Sequence, residues 1–238
     1  LAQGYPDYRE QLLRSVRRAA DAAALLDELA ASDLELMVGA DSSLDLDMLA
    51  HVSLPRARNA LFAWVEERGG VLTPDGLDEA LVQLLDAAPD ANPMIDVGAW
   101  RLTRYRQRAY LIRPFTTPTA PIAFEFSPEQ LTLDFPDWGG RLRFNPIANG
   151  GLRQVALTGG LTLRPRQGGE SLPQNGVNKT LKNLLQEAGM PPYRRERLPL
   201  IYQNDTLLAA PGAGINTELL AAEPDVGYVP VWLPYDGY

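Results

Sequence analysis

The chain has 238 residues, of which 45% are hydrophobic and 22% are charged, and its formal net charge is −8. This length exceeds the usual size of one hydrophobic core, so we expect two domains. The absence of cysteine excludes a disulfide framework, a thiolate zinc site and a cysteine nucleophile, and it is compatible with a reducing cytoplasm. No apolar run approaches the roughly 18 residues that a membrane-spanning helix needs. We therefore expect a cytoplasmic protein without a membrane segment.

The first ninety residues have the apolar spacing of helices, with apolar side chains three or four positions apart. Thr73, followed by a proline and an aspartate, is a typical helix start, and Gly69-Gly70 is a typical helix stop. Ser53 or a neighbour is expected near the cap of the preceding helix. The predicted helices run from Tyr8 to about Ala31, from Pro55 to Arg68, and from Thr73 through Leu85.

After Pro93 the apolar pattern changes to a period of two, which is typical of strands and predicts a β-hairpin up to Ile112. Three prolines and three threonines within residues 114–121 predict a linker. Beyond the linker, short strand-like runs indicate a small sheet or partial barrel. These runs are Ile122–Phe126, Leu131–Phe135, Arg141–Phe144, Gln154–Leu157, Leu161–Leu163, Leu200–Tyr202, Leu207–Ala210 and Tyr228–Leu233.

One helix is predicted among these strands, from about Lys179 to Ala188, with Asn178 as its cap. The predicted fold class is therefore α+β. A mostly helical domain that ends in a hairpin (residues 1–113) precedes a linker (114–121) and a mixed domain of short strands around one or two helices (122–238).

Positive charge is confined to one segment of the second domain. Residues 161–197 contain seven basic and three acidic side chains, a net charge of +4, whereas every other part of the chain is net negative. A local positive potential is what phosphate contacts require. The candidate phosphate-binding residues are Arg164, Arg166, Lys179, Lys182, Arg194, Arg195 and Arg197. The alternative is a solvated face whose cations pair with Glu170, Glu187 and Glu196.

The order of residues in this segment is more specific evidence about function than its net charge. From Leu163 to Leu200 a short strand is followed by R-P-R, a G-G-E turn, a helix with two lysines, a glycine with prolines, and R-x-R-x-P. This pattern closely resembles the C-terminal domain of tRNA(Ile)-lysidine synthetases. Upstream, Leu-Pro-Arg-Ala-Arg at Leu54, the Trp64 helix and the hairpin from Arg101 to Ile112 resemble the family's middle, substrate-binding domain.

The resemblance implies a function. Members of this family use ATP and Mg²⁺ to activate the wobble cytidine of an isoleucine tRNA, and lysine then displaces AMP. Their S-G-G-x-D-S phosphate loop does not occur in this chain. The resemblance thus implies a C-terminal portion that begins at Leu1 without the N-terminal ATPase domain, holds no cofactor, is inactive alone, and contacts the acceptor end and body of the tRNA. No catalytic residue or metal ligand is predicted, and His51 is the only histidine.

Two alternatives remain open at this point. Arg104, Arg106 and Arg108 alternate along the hairpin, so a strand would present them on one face, either as further tRNA contacts or as a solvated hairpin tip. The chain as a whole could instead be a stand-alone interaction module that uses its basic segment to bind an acidic partner.

Overall fold

The computed structural model describes residues 8–88 and 91–235; Leu1, with the rest of residues 1–7, lies outside this range. The chain divides into two compact units, one up to Pro114 and one from Phe115. The fold class is α+β, as predicted. Within the described ranges, no helix combines the length and apolar character needed to cross a membrane.

Unit 1, the part up to Pro114, packs helices on a small antiparallel sheet with strand order β1-β4-β3-β2. Its elements are α1 (Tyr8–Met37), β1 (Leu44–Asp45), α2 (Leu46–His51), α3 (Leu54–Glu67), α4 (Pro74–Leu85), β2 (Met94–Val97), β3 (Trp100–Tyr105) and β4 (Arg108–Ile112). One apolar core, which includes Leu61, Trp64 and Leu102, joins the helices to the sheet.

The helix starts in unit 1 follow the local signals, but their extents differ from the predictions. The hydroxyl of Thr73 accepts a hydrogen bond from the Gly76 N–H at 3.1 Å, as expected of an N-cap. The helix α1 continues to Met37, beyond the predicted end near Ala31, because its last turns bury Ala30 and Met37. By contrast, Leu12 and Val16 on its predicted apolar face are 50% and 57% exposed.

Unit 2, the part from Phe115, contains a five-stranded sheet (β14-β13-β12-β9-β5), a four-stranded sheet (β6-β7-β15-β8) and a hairpin (β10-β11). Its strands are β5 (Ile122–Phe124), β6 (Thr132–Phe135), β7 (Gly140–Ala148), β8 (Leu152–Arg153), β9 (Leu161–Arg164), β10 (Ser171–Gln174), β11 (Val177–Thr180), β12 (Leu200–Gln203), β13 (Thr206–Ala210), β14 (Gly214–Ile215) and β15 (Val226–Pro234). Its helices are α5 (Leu181–Glu187) and α6 (Pro192–Arg197).

The two larger sheets of unit 2 share a core, because Phe144 of β7 and Leu163 of β9 belong to one buried cluster. A second cluster, with Leu185 and Leu200, lies under α5. The predicted strand at Gln154–Leu157 is wrong, since those residues form a 3-10 helix. The residues of α6 were not predicted to be helical.

Candidate nucleic-acid interface

The residues after β9 form a tight loop closed by a carboxylate. Glu170 Oε1 accepts the N–H of Gln167 at 2.5 Å and the N–H of Gly168 at 2.9 Å. Gly168 and Gly169 both have a positive φ, at 93° and 84°, a conformation that side chains disfavour. A Cβ at either glycine would meet no atom within 4 Å, so backbone conformation, and not crowding, favours glycine here. The G-G-E sequence is therefore a turn that Glu170 fastens.

Arg164, the last residue of β9, is held by contacts within unit 2. Its Nε donates to Thr162 Oγ1 at 3.1 Å, its Nη2 donates to the carbonyl of Asn204, and its guanidinium lies 4.6 Å from the ring centre of Tyr202. Burial raises the pKa of Tyr202, the nearby Glu170 raises it further, and Arg164 opposes both. Arg164 therefore ties β9 to β12 and to the turn that follows β12.

Arg164→Ala is expected to lower the free energy of unfolding by about 1 to 2 kcal/mol, because two hydrogen bonds and a cation–π contact are lost at a partly exposed site. Arg164→Lys keeps the charge but cannot make both bonds, so we expect it to recover less than half of the loss. Denaturant unfolding of the full chain measures both variants. Stability equal to wild type in Arg164→Ala would contradict this interpretation.

Arg166 lines a cavity of about 670 Å³ in unit 2. Its Nε lies 3.8 Å from Glu170 Oε2, and both atoms are out of solvent contact and have no hydrogen-bond partner among the described residues. Arg195, on α6, also lines the cavity and donates from Nε to the Met190 carbonyl at 2.6 Å. The remaining lining residues are Thr117, Pro118, Thr119, Pro165, Gln167, Gly168 and Glu196. Two arginines from separate parts of the basic segment thus meet at one concave surface.

The two lysines do not lie on one helix, so the predicted helix start near Lys179 is wrong. Lys179 lies on β11, opposite Leu172, and α5 begins only at Leu181 with Thr180 as its side-chain cap, not Asn178. The Lys179 Nζ contacts both carboxylate oxygens of Glu187, at 3.1 and 3.0 Å. Lys182 is exposed on α5. Lys179 therefore pairs with Glu187 as the solvated-face alternative expects, whereas Arg166 faces Glu170 with its Nε out of solvent contact.

The other arginines of the segment lie on α6, which starts at Pro192. Arg194 is exposed on this helix. Arg197, at its end, is partly buried and lies 5.1 Å from the ring centre of Phe115. The short helix therefore presents its arginines to different surroundings.

Three residues that order arginines of the segment have roles that the sequence did not reveal. Phe115 and Tyr202 contact Arg197 and Arg164 through their rings, and no pattern in the sequence pairs them. Glu170 was expected only as an ion-pair partner, whereas it also closes the loop. The G-G-E sequence was a signal for that second role, because a carboxylate just after two glycines can accept their loop's N–H groups.

In unit 1 the predicted arginine face of the hairpin is wrong. Arg106 and Gln107 form the turn between β3 and β4, and Arg106 has a φ of 55°. Arg104 points inward and is 6% exposed. Arg108 donates to Ser43 Oγ at 3.0 Å and lies 3.4 Å from Asp45 Oδ2. The three side chains therefore go to three different places, and only Arg106 is exposed.

The guanidinium of Arg104 makes four hydrogen bonds to described residues of unit 1. Its Nη1 donates to the carbonyls of Leu84 and Ala87, at 2.9 and 3.0 Å, at the C-terminal end of α4. Its Nε donates to the Arg106 carbonyl at 2.9 Å and its Nη2 to Gln107 Oε1 at 2.6 Å. Because helix C-termini carry unpaired carbonyls and partial negative charge, this arginine acts as a cap from a distant strand.

Comparisons with known proteins agree with the two-part organisation. Residues 44–110 match the family model described as the TilS substrate binding domain, and residues 161–232 match the TilS substrate C-terminal domain. The tRNA(Ile)-lysidine synthase of Ralstonia nicotianae is 36% identical over 100% of this chain and 53% of its own length. That of Chromobacterium violaceum is 34% identical over 98% of this chain and 53% of its own length. The chain belongs to the tRNA(Ile)-lysidine synthase family.

The chain spans about half the length of these curated relatives. A solved structure of the TILS C-terminal domain matches 48% of this chain and 96% of its own length at 20% identity, with a TM-score of 0.35. All seven candidate residues of the basic segment lie within the match to the C-terminal domain of lysidine synthases, and the hairpin arginines lie within the match to their substrate-binding domain.

The lysidine synthase family implies ATP and Mg²⁺, but the residues of this chain do not fit them. The sequence has no S-G-G-x-D-S loop. Within residues 8–88 and 91–235, no three His, Cys, Asp or Glu side chains cluster in a way that could hold a metal ion. In the segment between α1 and β1, burial opposes ionisation of Asp41, but hydrogen bonds from Ser43 and the charge of Arg108 outweigh it and lower the pKa of Asp41. No chemical step is therefore assigned to this chain.

Proposed function

We propose that this chain is the tRNA-binding portion of a tRNA(Ile)-lysidine synthase and that it binds isoleucine tRNA through the cationic surface of unit 2. The whole protein would attach lysine to the wobble cytidine in an ATP-dependent reaction in the cytoplasm. The observation that carries the proposal is the meeting of Arg166 and Arg195 at one cavity in an otherwise acidic chain. A stand-alone module that binds an acidic protein is not favoured, because the relatives named as tRNA(Ile)-lysidine synthases align with the full chain.

The candidate cations differ in how freely they can bind a phosphate. Among the described residues, Lys182 and Arg194 are exposed and make no side-chain hydrogen bond or ion pair, so a phosphate would meet them without displacing a partner. Arg166 donates no hydrogen bond to a described residue and has one carboxylate nearby, and Arg195 donates to the described part of the chain only from Nε, to the Met190 carbonyl. Lys179 must exchange Glu187 for phosphate, and Arg164 is fully engaged. We propose Lys182, Arg194, Arg166 and Arg195 as the main contacts, with Lys179 and Arg197 at the margin and Arg164 as support.

Such contacts set the position of the RNA without reading its sequence, because phosphates are the same at every nucleotide. The helical geometry of RNA also favours contacts to phosphate and 2′-hydroxyl groups over base edges. Each contact releases counterions from the RNA, so the observed association constant falls as salt rises. The proposed surface therefore supplies affinity and register, while the choice of the wobble base is left to other parts of the whole protein.

The chain is expected to bind an isoleucine tRNA transcript with an affinity that falls steeply as salt rises, and Lys182→Ala and Arg194→Ala should each weaken binding about three- to tenfold. Arg153→Ala is the matched control, because Arg153 is exposed in the same unit outside the basic segment. Fluorescence anisotropy with labelled tRNA over a salt series measures all four proteins. Equal losses in all three variants, or no binding by the wild-type chain, would contradict the proposal.

The same chain is expected to release no pyrophosphate when it is given ATP, lysine and the tRNA, because it lacks the phosphate loop. A pyrophosphate assay with and without lysine checks this expectation. Lysine-dependent release by the 238-residue chain alone would place the chemistry in this part of the protein and would contradict the division of labour proposed above.

A further inference from the structure

Glu170 stands out as an acidic residue inside the cationic surface. Its side chain is only 9% exposed, and it lies between the backbone of the 165–170 loop and the guanidinium of Arg166. Burying a carboxylate costs free energy unless hydrogen bonds and opposite charge compensate. Glu196 also lines the cavity but is exposed, whereas Glu170 is nearly buried beside Arg166, so its position needs a reason other than net charge.

The two carboxylate oxygens have different surroundings. Oε1 accepts two backbone N–H groups, from Gln167 and Gly168, and so fixes the course of the loop. Oε2 faces Arg166 Nε at 3.8 Å, which is an ion pair without a hydrogen bond. The carboxylate therefore attracts the guanidinium toward the loop and leaves the Nε of Arg166 without a protein acceptor.

Besides these bonds, the loop is held at its end by the Leu181 N–H, which donates to the Glu170 carbonyl at 2.8 Å. Gly168 and Gly169 leave open space where side chains would lie, and both have the positive φ that a free chain adopts only for part of the time. Without the two bonds to Glu170 Oε1, the Arg166 backbone would gain conformational freedom. Binding tRNA would then have to order this loop, and the entropy of ordering would be subtracted from the affinity.

We propose that Glu170 is a positioning residue for tRNA binding: it holds the 165–170 loop and keeps the Arg166 guanidinium at the cavity. This inference rests on the proposed function and adds a role for an acid in it. The proposal predicts that the change in tRNA affinity has the opposite sign to the one that charge alone would give. Removal of a negative charge from a polyanion-binding surface ordinarily strengthens binding, whereas removal of this one is expected to weaken it.

Glu187 provides the matched comparison, because it too pairs with a cation of the segment but is 57% exposed and accepts no bond from a loop. Glu170→Ala and Glu187→Ala change charge equally, but only Glu170→Ala removes the acceptor of the two loop N–H groups. We expect Glu170→Ala to weaken binding of the isoleucine tRNA transcript about three- to tenfold, and Glu187→Ala, which frees Lys179, to bind as well as wild type or more tightly. Thermal unfolding of both variants confirms that they are folded.

A double-mutant cycle separates positioning from general effects, because a residue that acts through Arg166 has little effect once Arg166 is absent. We expect Glu170→Ala to weaken binding in the wild-type background and to change it less than twofold in the Arg166→Ala background. Unchanged or tighter binding by Glu170→Ala, or the same loss in both backgrounds, overturns the inference while leaving the proposed function intact. Failure of the wild-type chain to bind tRNA overturns both.

Discussion

Arg104→Ala is expected to lower the free energy of unfolding of unit 1 by about 3 kcal/mol, a larger loss than the one expected for Arg164→Ala. The substitution removes four hydrogen bonds and leaves the Leu84 and Ala87 carbonyls at the end of α4 without their donor. A buried acceptor without a partner costs about 1 to 3 kcal/mol. Denaturant unfolding of the full chain, with hydrogen exchange of β3 and β4 to assign the change to unit 1, measures the effect.

The neighbouring Arg106 is the control for Arg104. It lies in the turn between β3 and β4, is exposed, and its guanidinium lies 5.3 Å from the ring centre of Tyr105. Arg106→Ala is therefore expected to change stability by less than about 1 kcal/mol. If the two variants were equally stable, Arg104 would not have the capping role that its contacts indicate.

The triple variant Arg166→Ala, Arg194→Ala and Arg195→Ala is expected to lose about 100-fold in affinity for the isoleucine tRNA, since three contacts worth about 1 kcal/mol each are removed. The slope of log K against log salt should become shallower by about two to three units, because each lost phosphate contact accounts for about 0.7 to 0.9. This prediction tests the surface as a whole, whereas the single variants rank its members.

The control triple variant replaces Arg141, Arg143 and Arg153, three exposed arginines of unit 2 on β7 and β8. Its charge change equals that of the first triple variant, so any long-range electrostatic effect is shared. We expect the affinity for isoleucine tRNA to fall less than about fivefold. The slope of log K against log salt should stay within about one unit of the wild-type value. A loss as large as that of the first triple variant would mean that total charge, and not the cavity surface, determines binding.

Much of the fold could be predicted because its signals are local. The start of α4 depends on Thr73 and Pro74, which are adjacent in sequence, and the end of α3 depends on Gly69 just after it. The α+β class and the strands after Pro93 followed from the change of apolar period, although three strands, β2, β3 and β4, form there instead of one hairpin. The limits of the predicted domains and linker stay a prediction, although the two compact units meet between Pro114 and Phe115.

The failures involve contacts between residues far apart in sequence. Asn178 and Thr180 are both good caps, and the choice between them is made by the pairing of β10 with β11, which keeps Lys179 in a strand. Alternation along the hairpin predicts an arginine face that includes Arg104, but the strand ends at Tyr105 and two of the acceptors of Arg104 lie at the end of α4. No local sequence pattern indicates the pairing of β10 with β11 or the contact of Arg104 with the end of α4.

Within the candidate site, the charge distribution predicted which segment is cationic, but it did not predict which contacts each basic side chain makes. Arg164 and Arg166 are two residues apart in sequence, yet one is held by Thr162, Asn204 and Tyr202 and the other donates no hydrogen bond in the described part of the chain. That difference depends on where the loop turns and on the carboxylate that closes it. Which basic residues contact tRNA therefore stays a prediction that ranks them by their existing partners.

Amide hydrogen–deuterium exchange of the 238-residue chain, with and without isoleucine tRNA, tests most directly whether the cationic surface of unit 2 binds the tRNA. We expect the tRNA to slow exchange in residues 164–170 and 181–197, at the loop of Arg166 and along α5 and α6. Exchange in β6 and β7, the second of which carries the control arginines Arg141 and Arg143, should not change. Slower exchange in β6 and β7 with none in residues 164–197 would contradict the proposed interface.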